Sequence, residues 1–170
     1  MGRLLAEECE ARLTPEKKVD GLLTAVAADG LSSMATMRNA VPLLEQLREQ
    51  VQDWVFDSVI IATQARVALG DRIGELRRAE AVLMLIGERP GLTSPDSLGV
   101  YLTYQPRAGR TDAERNCVSN IRMGGLSAEV AAGRLAQLLK GARQLRGSGV
   151  VLKDRFGEDT PTIGQPKPDS

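Results

Sequence analysis

The fold is decided by residues 81–120, AVLMLIGERPGLTSPDSLGVYLTYQPRAGRTDAERNCVSN. They open with a run of six apolar residues that is closed by Gly87. The run is too short for an ordinary helix, and it predicts a strand that is buried on both faces. Pro90 has no amide donor, so the strand cannot continue through it. Glu88 and Arg89 therefore follow the carboxyl end of a buried strand, which is where open α/β sheets bind ligands.

The rest of the chain alternates apolar runs with amphipathic patterns. Further buried strands are predicted near Leu22 and Val59, a less buried strand at residues 99–104, and a last short strand near Val150. This alternation predicts a doubly wound α/β fold, Rossmann-like, with a mainly parallel sheet and helices on both faces. The helix after the first strand is expected to begin at Ser32 as N-cap and to bury Met34, Met37, Val41, Leu44, Leu47 and Val51.

The length of 170 residues favours a single domain with a sizeable core. Residues 1–152 carry the apolar patterns and are expected to form that domain. Residues 153–170 are rich in proline and charge, which predicts a disordered tail.

Composition excludes several classes of function. Lysine plus arginine and aspartate plus glutamate both total 22, so no strong field favours nucleic acid or an anionic membrane. No apolar run reaches membrane-spanning length and the start soon turns acidic, which predicts a cytoplasmic protein without a secretory signal. The two cysteines lack metal-ligand spacing, and there is no histidine, which excludes histidine triads, histidine-bound zinc and a histidine base. We therefore expect no metal site and no catalytic residue in this chain.

Four polar turns are expected to meet at one edge of the sheet: residues 29–32, 64–67, 87–89 and 104–117. The sequence contains neither GxGxxG nor GxxxxGK[ST], so the glycine signals for a dinucleotide or a nucleoside triphosphate are missing. Scattered backbone groups, one or two arginines and one carboxylate suit a large ligand that is rich in amides.

The order and spacing of several short motifs resemble the small (light) subunit of ethanolamine ammonia-lyase. The resemblance covers roughly residues 2–152, and the joint occurrence of GERPG and ERNCVSNI is its most specific feature. The motifs are ADGLS at 28–32, RV at 66–67, DRIGE at 71–75, IGERPG at 86–91, SL at 97–98, DAERNCVSNI at 112–121 and GG at 124–125.

The resemblance implies a subunit that helps to hold base-on adenosylcobalamin against a catalytic large subunit. The family deaminates ethanolamine to acetaldehyde and ammonia, and its cobalamin contacts fall on Val67, Glu88 and Cys117. The absence of histidine agrees with a cobalamin whose lower ligand is its own dimethylbenzimidazole. The resemblance also implies a hetero-oligomer, inactive without the large subunit, in the cytoplasm or inside a bacterial microcompartment.

This chain departs from the family pattern in two places. Family members usually carry an additional region before the point where the resemblance begins, and a glycine commonly stands where this chain has Ala65. A non-enzymatic α/β binding or scaffold module, a shortened relative without ligand, is the alternative function.

The three site residues also have ordinary structural explanations. Glu88 could pair with Arg89 or cap the next turn, Cys117 could be a small buried hydrophobe, and Val67 could belong to the core. Solvated surface charge is the ordinary interpretation of Arg66, Arg107, Arg110 and Arg115.

Overall fold

The computed structural model describes residues 5–88 and 96–152, so Arg89 and the expected tail at 153–170 lie outside the described residues. Helices and strands follow one another along the chain in a largely alternating order. They are α1 (Glu7–Leu13), β1 (Leu22–Ala28), α2 (Ser33–Gln50), β2 (Val55–Phe56), β3 (Ile60–Ala62), α3 (Val67–Leu76), β4 (Ala81–Gly87), β5 (Leu98–Tyr104), β6 (Asn116–Ile121) and α4 (Ala128–Leu145).

The strands form one open six-stranded sheet in the order β2-β1-β4-β5-β6, with β3 also paired to β1. β1 runs parallel to β2, β3 and β4, whereas the β4–β5 and β5–β6 pairings are antiparallel. The α/β class is therefore confirmed, and the sheet has a parallel half and an antiparallel half. The strand predicted for the apolar run at residues 81–86 is confirmed as β4, in which every residue is buried.

Helices cover both faces of this sheet, as the sequence predicts. Helices α2 and α4 pack over one face, which buries the larger part of the core, including Leu83 and Leu85 of β4. Helix α3 covers the other face, where Val82 and Met84 point. Because successive side chains of a strand point to opposite faces, one continuous apolar run supplies both core layers.

The N-cap predicted for α2 is confirmed, because the Ser32 hydroxyl accepts a hydrogen bond from the Ala35 amide at 3.3 Å. The face predicted to be buried is wrong for its first half. Met34 and Met37 are exposed, the latter to 81%, and Val41 is exposed as well. Leu47 and Val51 are buried as predicted, and the helix also buries Ala35, Ala40 and Leu43.

Three predicted strands need correction. Residues 150–152 form a helical turn, not a strand. β5 is an almost fully buried inner strand, because β4 and β6 flank it and helices cover it, so it is not the less buried strand that was expected. The strand near Val59 exists as β3, but it lies at the edge of the sheet and Ile61 is exposed to 80%, so it is not buried.

Within the described residues, no helix combines the length and the apolar character that crossing a lipid bilayer requires.

Candidate functional site

Three of the four expected turns do meet at one edge of the sheet. β1, β3 and β4 are parallel, so the residues that follow their carboxyl ends lie side by side. The prediction for the fourth turn, residues 104–117, is wrong for its start, because β5 is antiparallel to β4 and Tyr104 pairs with Ala81 at the opposite edge. Arg110, Asp112 and Arg115 from the same segment do lie beside Arg66 and Val67 at the start of α3. β6 reverses direction again, and its end at residues 119–121 takes the fourth place.

Asp29 ties the first two of these turns together. Its carboxylate accepts hydrogen bonds from the amides of Gly30 at 2.8 Å, Gln64 at 2.7 Å and Ala65 at 3.2 Å. Burial acts to raise the pKa of the Asp29 carboxyl, but these N–H donors outweigh it and hold the pKa below its usual value. The charged carboxylate therefore fixes the segment that leads into α3.

The turns surround a shallow crevice with a volume of about 470 Å³, which we call the carboxyl-edge crevice. Apolar side chains and backbone alternate with polar side chains around it. Its lining consists of Gly30, Leu31, Arg66, Val67, Ile86, Gly87, Glu88, Tyr101, Ser119 and Asn120. Two of the three site residues implied by the resemblance, Val67 and Glu88, thus line the same crevice.

The Glu88 carboxylate is held above the sheet by groups from β6 and from the segment before β5. The backbone amide of Glu88 donates a hydrogen bond to the Ser97 carbonyl at 2.8 Å, which extends the β4–β5 pairing by one residue pair. Oε2 accepts a hydrogen bond from the Ser97 hydroxyl at 3.2 Å and a long one from the Asn120 amide at 3.4 Å. The Glu88 carboxylate is therefore oriented by neighbouring groups, and Glu88 also lines the carboxyl-edge crevice.

Cys117 does not line the crevice itself, but it stands next to a residue that does. It lies in β6 directly opposite Tyr101 and is exposed, so neither the expected loop position nor the buried-hydrophobe explanation holds. Burial, followed by the neighbouring Cys117 thiol and the Glu88 carboxylate, raises the pKa of the Tyr101 phenol well above its usual value. Tyr101 therefore stands between Glu88 and Cys117 on one face of the sheet.

A second depression of about 850 Å³ continues the crevice on the far side of Val67. Arg66 and Val67 line both, since they begin α3 at the boundary between them. The remaining lining is Ala68, Arg110, Thr111, Asp112 and Arg115. The two depressions therefore adjoin each other at Arg66 and Val67.

Arg115 is not solvated surface charge, contrary to the prediction. Only 7% of it is exposed, and its guanidinium pairs with the buried carboxylate of Asp71 in α3. The same guanidinium donates to Asp112 and, at 2.8 Å, to the Arg110 carbonyl. Arg110 is paired as well, with Glu114 four residues on.

Sequence reasoning missed Tyr101, Ser119 and Asn120 as lining residues, whereas Leu31 belongs to the predicted turn at residues 29–32. Along β6, Ser119 and Cys117 alternate with the buried Asn116 and Val118, and that period of two was the available signal for Ser119. Along β5 only Tyr101 is not fully buried, so that strand gave no such signal. What was lacking was the strand order, because only antiparallel pairing brings the end of β6 beside Glu88.

The fold and the crevice define a class of protein: an open α/β domain that offers a wide, partly apolar ligand surface at the carboxyl ends of its parallel strands. A more specific assignment comes from comparison with known proteins. The model of the family described as ethanolamine ammonia-lyase light chain (EutC) matches residues 1–153. The chain belongs to this family, which confirms the resemblance.

Individual relatives agree with the family match. An ethanolamine ammonia-lyase small subunit of Xanthomonas campestris pv. campestris is 48% identical over 169 residues, covering 96% of this chain and 61% of that protein. The protein of the same name from Pseudomonas aeruginosa is 50% identical over 159 residues, covering 91% and 58%. The chain thus spans about three-fifths of the length of the curated relatives it matches.

Proposed function

We propose that this chain is the cobalamin-holding part of an adenosylcobalamin-dependent ethanolamine ammonia-lyase. In this proposal residues of the carboxyl-edge crevice would hold base-on adenosylcobalamin against a large subunit. Val67, Glu88 and Cys117 are the contacts that we propose from this chain. A location inside a bacterial microcompartment stays a prediction.

The observation that carries the proposal is the position of these three residues. Val67 and Glu88 come from different segments yet line one crevice. Cys117 joins them from a third segment, separated from Glu88 by Tyr101. A convergence of residues from three segments gives the extended contact surface that a wide ligand needs.

The chemistry of the lining suits cobalamin. A corrin has broad apolar faces and a rim of amide side chains, so it needs apolar contact area together with scattered acceptors and donors. Leu31, Val67 and Tyr101 supply the apolar area, and Glu88 and Asn120 supply polar groups at the rim. Because the sequence contains no histidine, this chain cannot supply an imidazole as lower ligand, which agrees with base-on binding.

The role of this chain is to bind and orient. Adenosylcobalamin, when bound, supplies the radical chemistry of deamination. The crevice is open to solvent, whereas such chemistry requires a cavity that excludes water, so a partner must complete the site. We therefore propose that the large subunit holds the ethanolamine and that this chain has no ammonia-lyase activity alone.

The test is co-expression with an ethanolamine ammonia-lyase large subunit, followed by cobalamin titration monitored by absorbance. Glu88→Gln and Cys117→Ser should each weaken cobalamin binding about tenfold and leave kcat at saturating cofactor unchanged, because they remove ground-state contacts only. Glu45→Gln and Cys9→Ser are matched controls, since they make the same changes outside the crevice lining.

Three outcomes would contradict the proposal. Acetaldehyde formation by the chain alone would overturn the role of a holding subunit. No cobalamin uptake by the complex would favour the scaffold alternative. A loss of kcat in Glu88→Gln at unchanged affinity would assign that carboxylate to the chemistry instead of the binding.

A further inference from the structure

A buried ion pair links the two segments that carry Val67 and Cys117. Asp71 lies in α3 four residues after Val67, on the same side of the helix. Arg115 has extended backbone and stands two residues before Cys117, so both side chains leave the chain on the same side. The pairing of Asp71 with Arg115 therefore connects helix to strand beside both proposed cobalamin contacts.

The geometry of this pair is strongly constrained. Arg115 donates to Asp71 through Nε at 3.2 Å and also through Nη2, and the side chains are only 5% and 3% exposed. Thr103 of β5 donates its hydroxyl to the other Asp71 oxygen at 2.8 Å. The remaining Arg115 donors hold the loop at Arg110 and Asp112. One arginine thus joins α3, β5 through Asp71, and the loop before β6.

We propose that Asp71 and Arg115 are positioning residues, which set the separation between Val67 and Cys117 and so preform the cobalamin surface. This inference rests on the proposed function. Val67 lies in α3 and Cys117 lies in β6. In the part of the chain that the structure describes, backbone hydrogen bonds do not join this helix to this strand, so side-chain contacts must fix the distance between Val67 and Cys117. A buried charge pair with satisfied hydrogen bonds has one low-energy arrangement, which suits a spacing device better than apolar packing does.

The same helix carries a matched control at its other end. Arg77, the C-cap of α3, donates through Nε and Nη2 to Asp57 at 2.7 and 2.6 Å. Asp57 also accepts a threonine hydroxyl, that of Thr24, at 3.2 Å. Asp57→Asn therefore removes an equivalent interaction from α3 without touching the crevice.

The first measurement needs no cofactor. Hydrogen exchange of the full chain, followed by mass spectrometry of peptides spanning residues 66–71 and 112–117, reports whether the pair holds these segments. Asp71→Asn should speed exchange in both about tenfold, and Asp57→Asn should leave both within about twofold of the parent chain. Arg115→Lys is the second variant if Asp71→Asn does not fold, since it keeps the buried charge balanced but loses the planar fork.

The second measurement titrates adenosylcobalamin into the complex with the large subunit. Asp71→Asn should weaken cobalamin binding about tenfold and leave kcat unchanged. Asp57→Asn should weaken binding less than this, even where the two variants lower the thermal stability of the chain by the same amount. Equal weakening by both variants, or faster exchange with unchanged affinity, would make the pair a structural tie only and overturn the inference. Unchanged exchange would overturn it without touching the proposed function. A parent complex that takes up no cobalamin would overturn the proposed function, and the positioning role with it, even if exchange behaved as expected.

Discussion

Gly99 lies directly beneath the carboxylate of Glu88, so close that a methyl group at position 99 would overlap with Oε1. Glycine at this point of β5 is therefore what allows the carboxylate to lie flat over the sheet between Ser97 and Asn120. A strand interior normally gains from a larger residue, so the absence of a side chain here has a steric reason.

Gly99→Ala should displace the Glu88 carboxylate while leaving the fold intact, because the clash is with the mobile end of a side chain. We expect cobalamin affinity of the assembled complex to fall about tenfold, as it should for loss of the carboxylate itself. Gly133→Ala in α4 is the control, since its nearest neighbour would be Gln50 Oε1 at 3.6 Å. It should stabilise the chain by about 0.5–1 kcal/mol and leave affinity unchanged. Equal affinity in both variants would argue against a role for the carboxylate position.

Acid should remove part of the stability through Asp57. Burial acts to raise the pKa of this carboxyl, but the hydrogen bonds and charge of Arg77 outweigh it and lower the pKa below its usual value. A lowered pKa means that the stabilisation is complete above the unfolded value of about 4 and is lost as the pH falls through the folded value. Asp57→Asn should cost about 2 kcal/mol at pH 7, less than a fully buried pair because Arg77 is partly exposed. Urea unfolding at pH 7 and pH 3 should show this difference shrinking in acid, and a constant difference would contradict the assignment.

Alkali should act through the two tyrosines, Tyr101 and Tyr104. Burial, together with Glu80 near Tyr104 and with Cys117 and Glu88 near Tyr101, raises the pKa of both phenols. A raised pKa in the folded state stabilises the chain below the unfolded value of about 10, and this contribution is lost as the pH rises beyond it. Absorbance at about 295 nm should therefore show no tyrosine titration near pH 10, and ionisation should coincide with unfolding. Reversible titration of a native chain near pH 10 would contradict this prediction.

The parts of the fold that local chemistry decides could be predicted from the sequence. β4 is a continuous apolar run with glycine at its end, and both Ser32 and Ser127 cap the helices that follow them. In these cases the deciding interactions lie within a few residues of each other, so a short stretch of sequence contains them.

The parts that depend on distant partners could not be predicted. β5 runs antiparallel to both β4 and β6, and this arrangement, which brings Ser119 and Asn120 to the crevice and Tyr104 to the opposite edge, depends on pairing between distant segments. The buried role of Arg115 needs Asp71 from another element. The helical turn at 150–152 carries the β-branched residues of a strand, but tertiary context overrides that preference.

The buried face of α2 shows the same limit and gives the last prediction. Apolar residues of α2 occur on more than one side of the helix. The face that it buries includes Ala35 and Ala40, whose small side chains permit close packing, and it does not include Met37. Met37→Ala should change the free energy of unfolding by less than about 0.5 kcal/mol, because the side chain is 81% exposed. Leu43→Ala, on the buried face of the same helix, should cost about 2–5 kcal/mol through lost burial and the cavity that it leaves. Urea unfolding of the two variants compares them directly, and a similar cost for both would mean that the helix is rotated relative to the sheet.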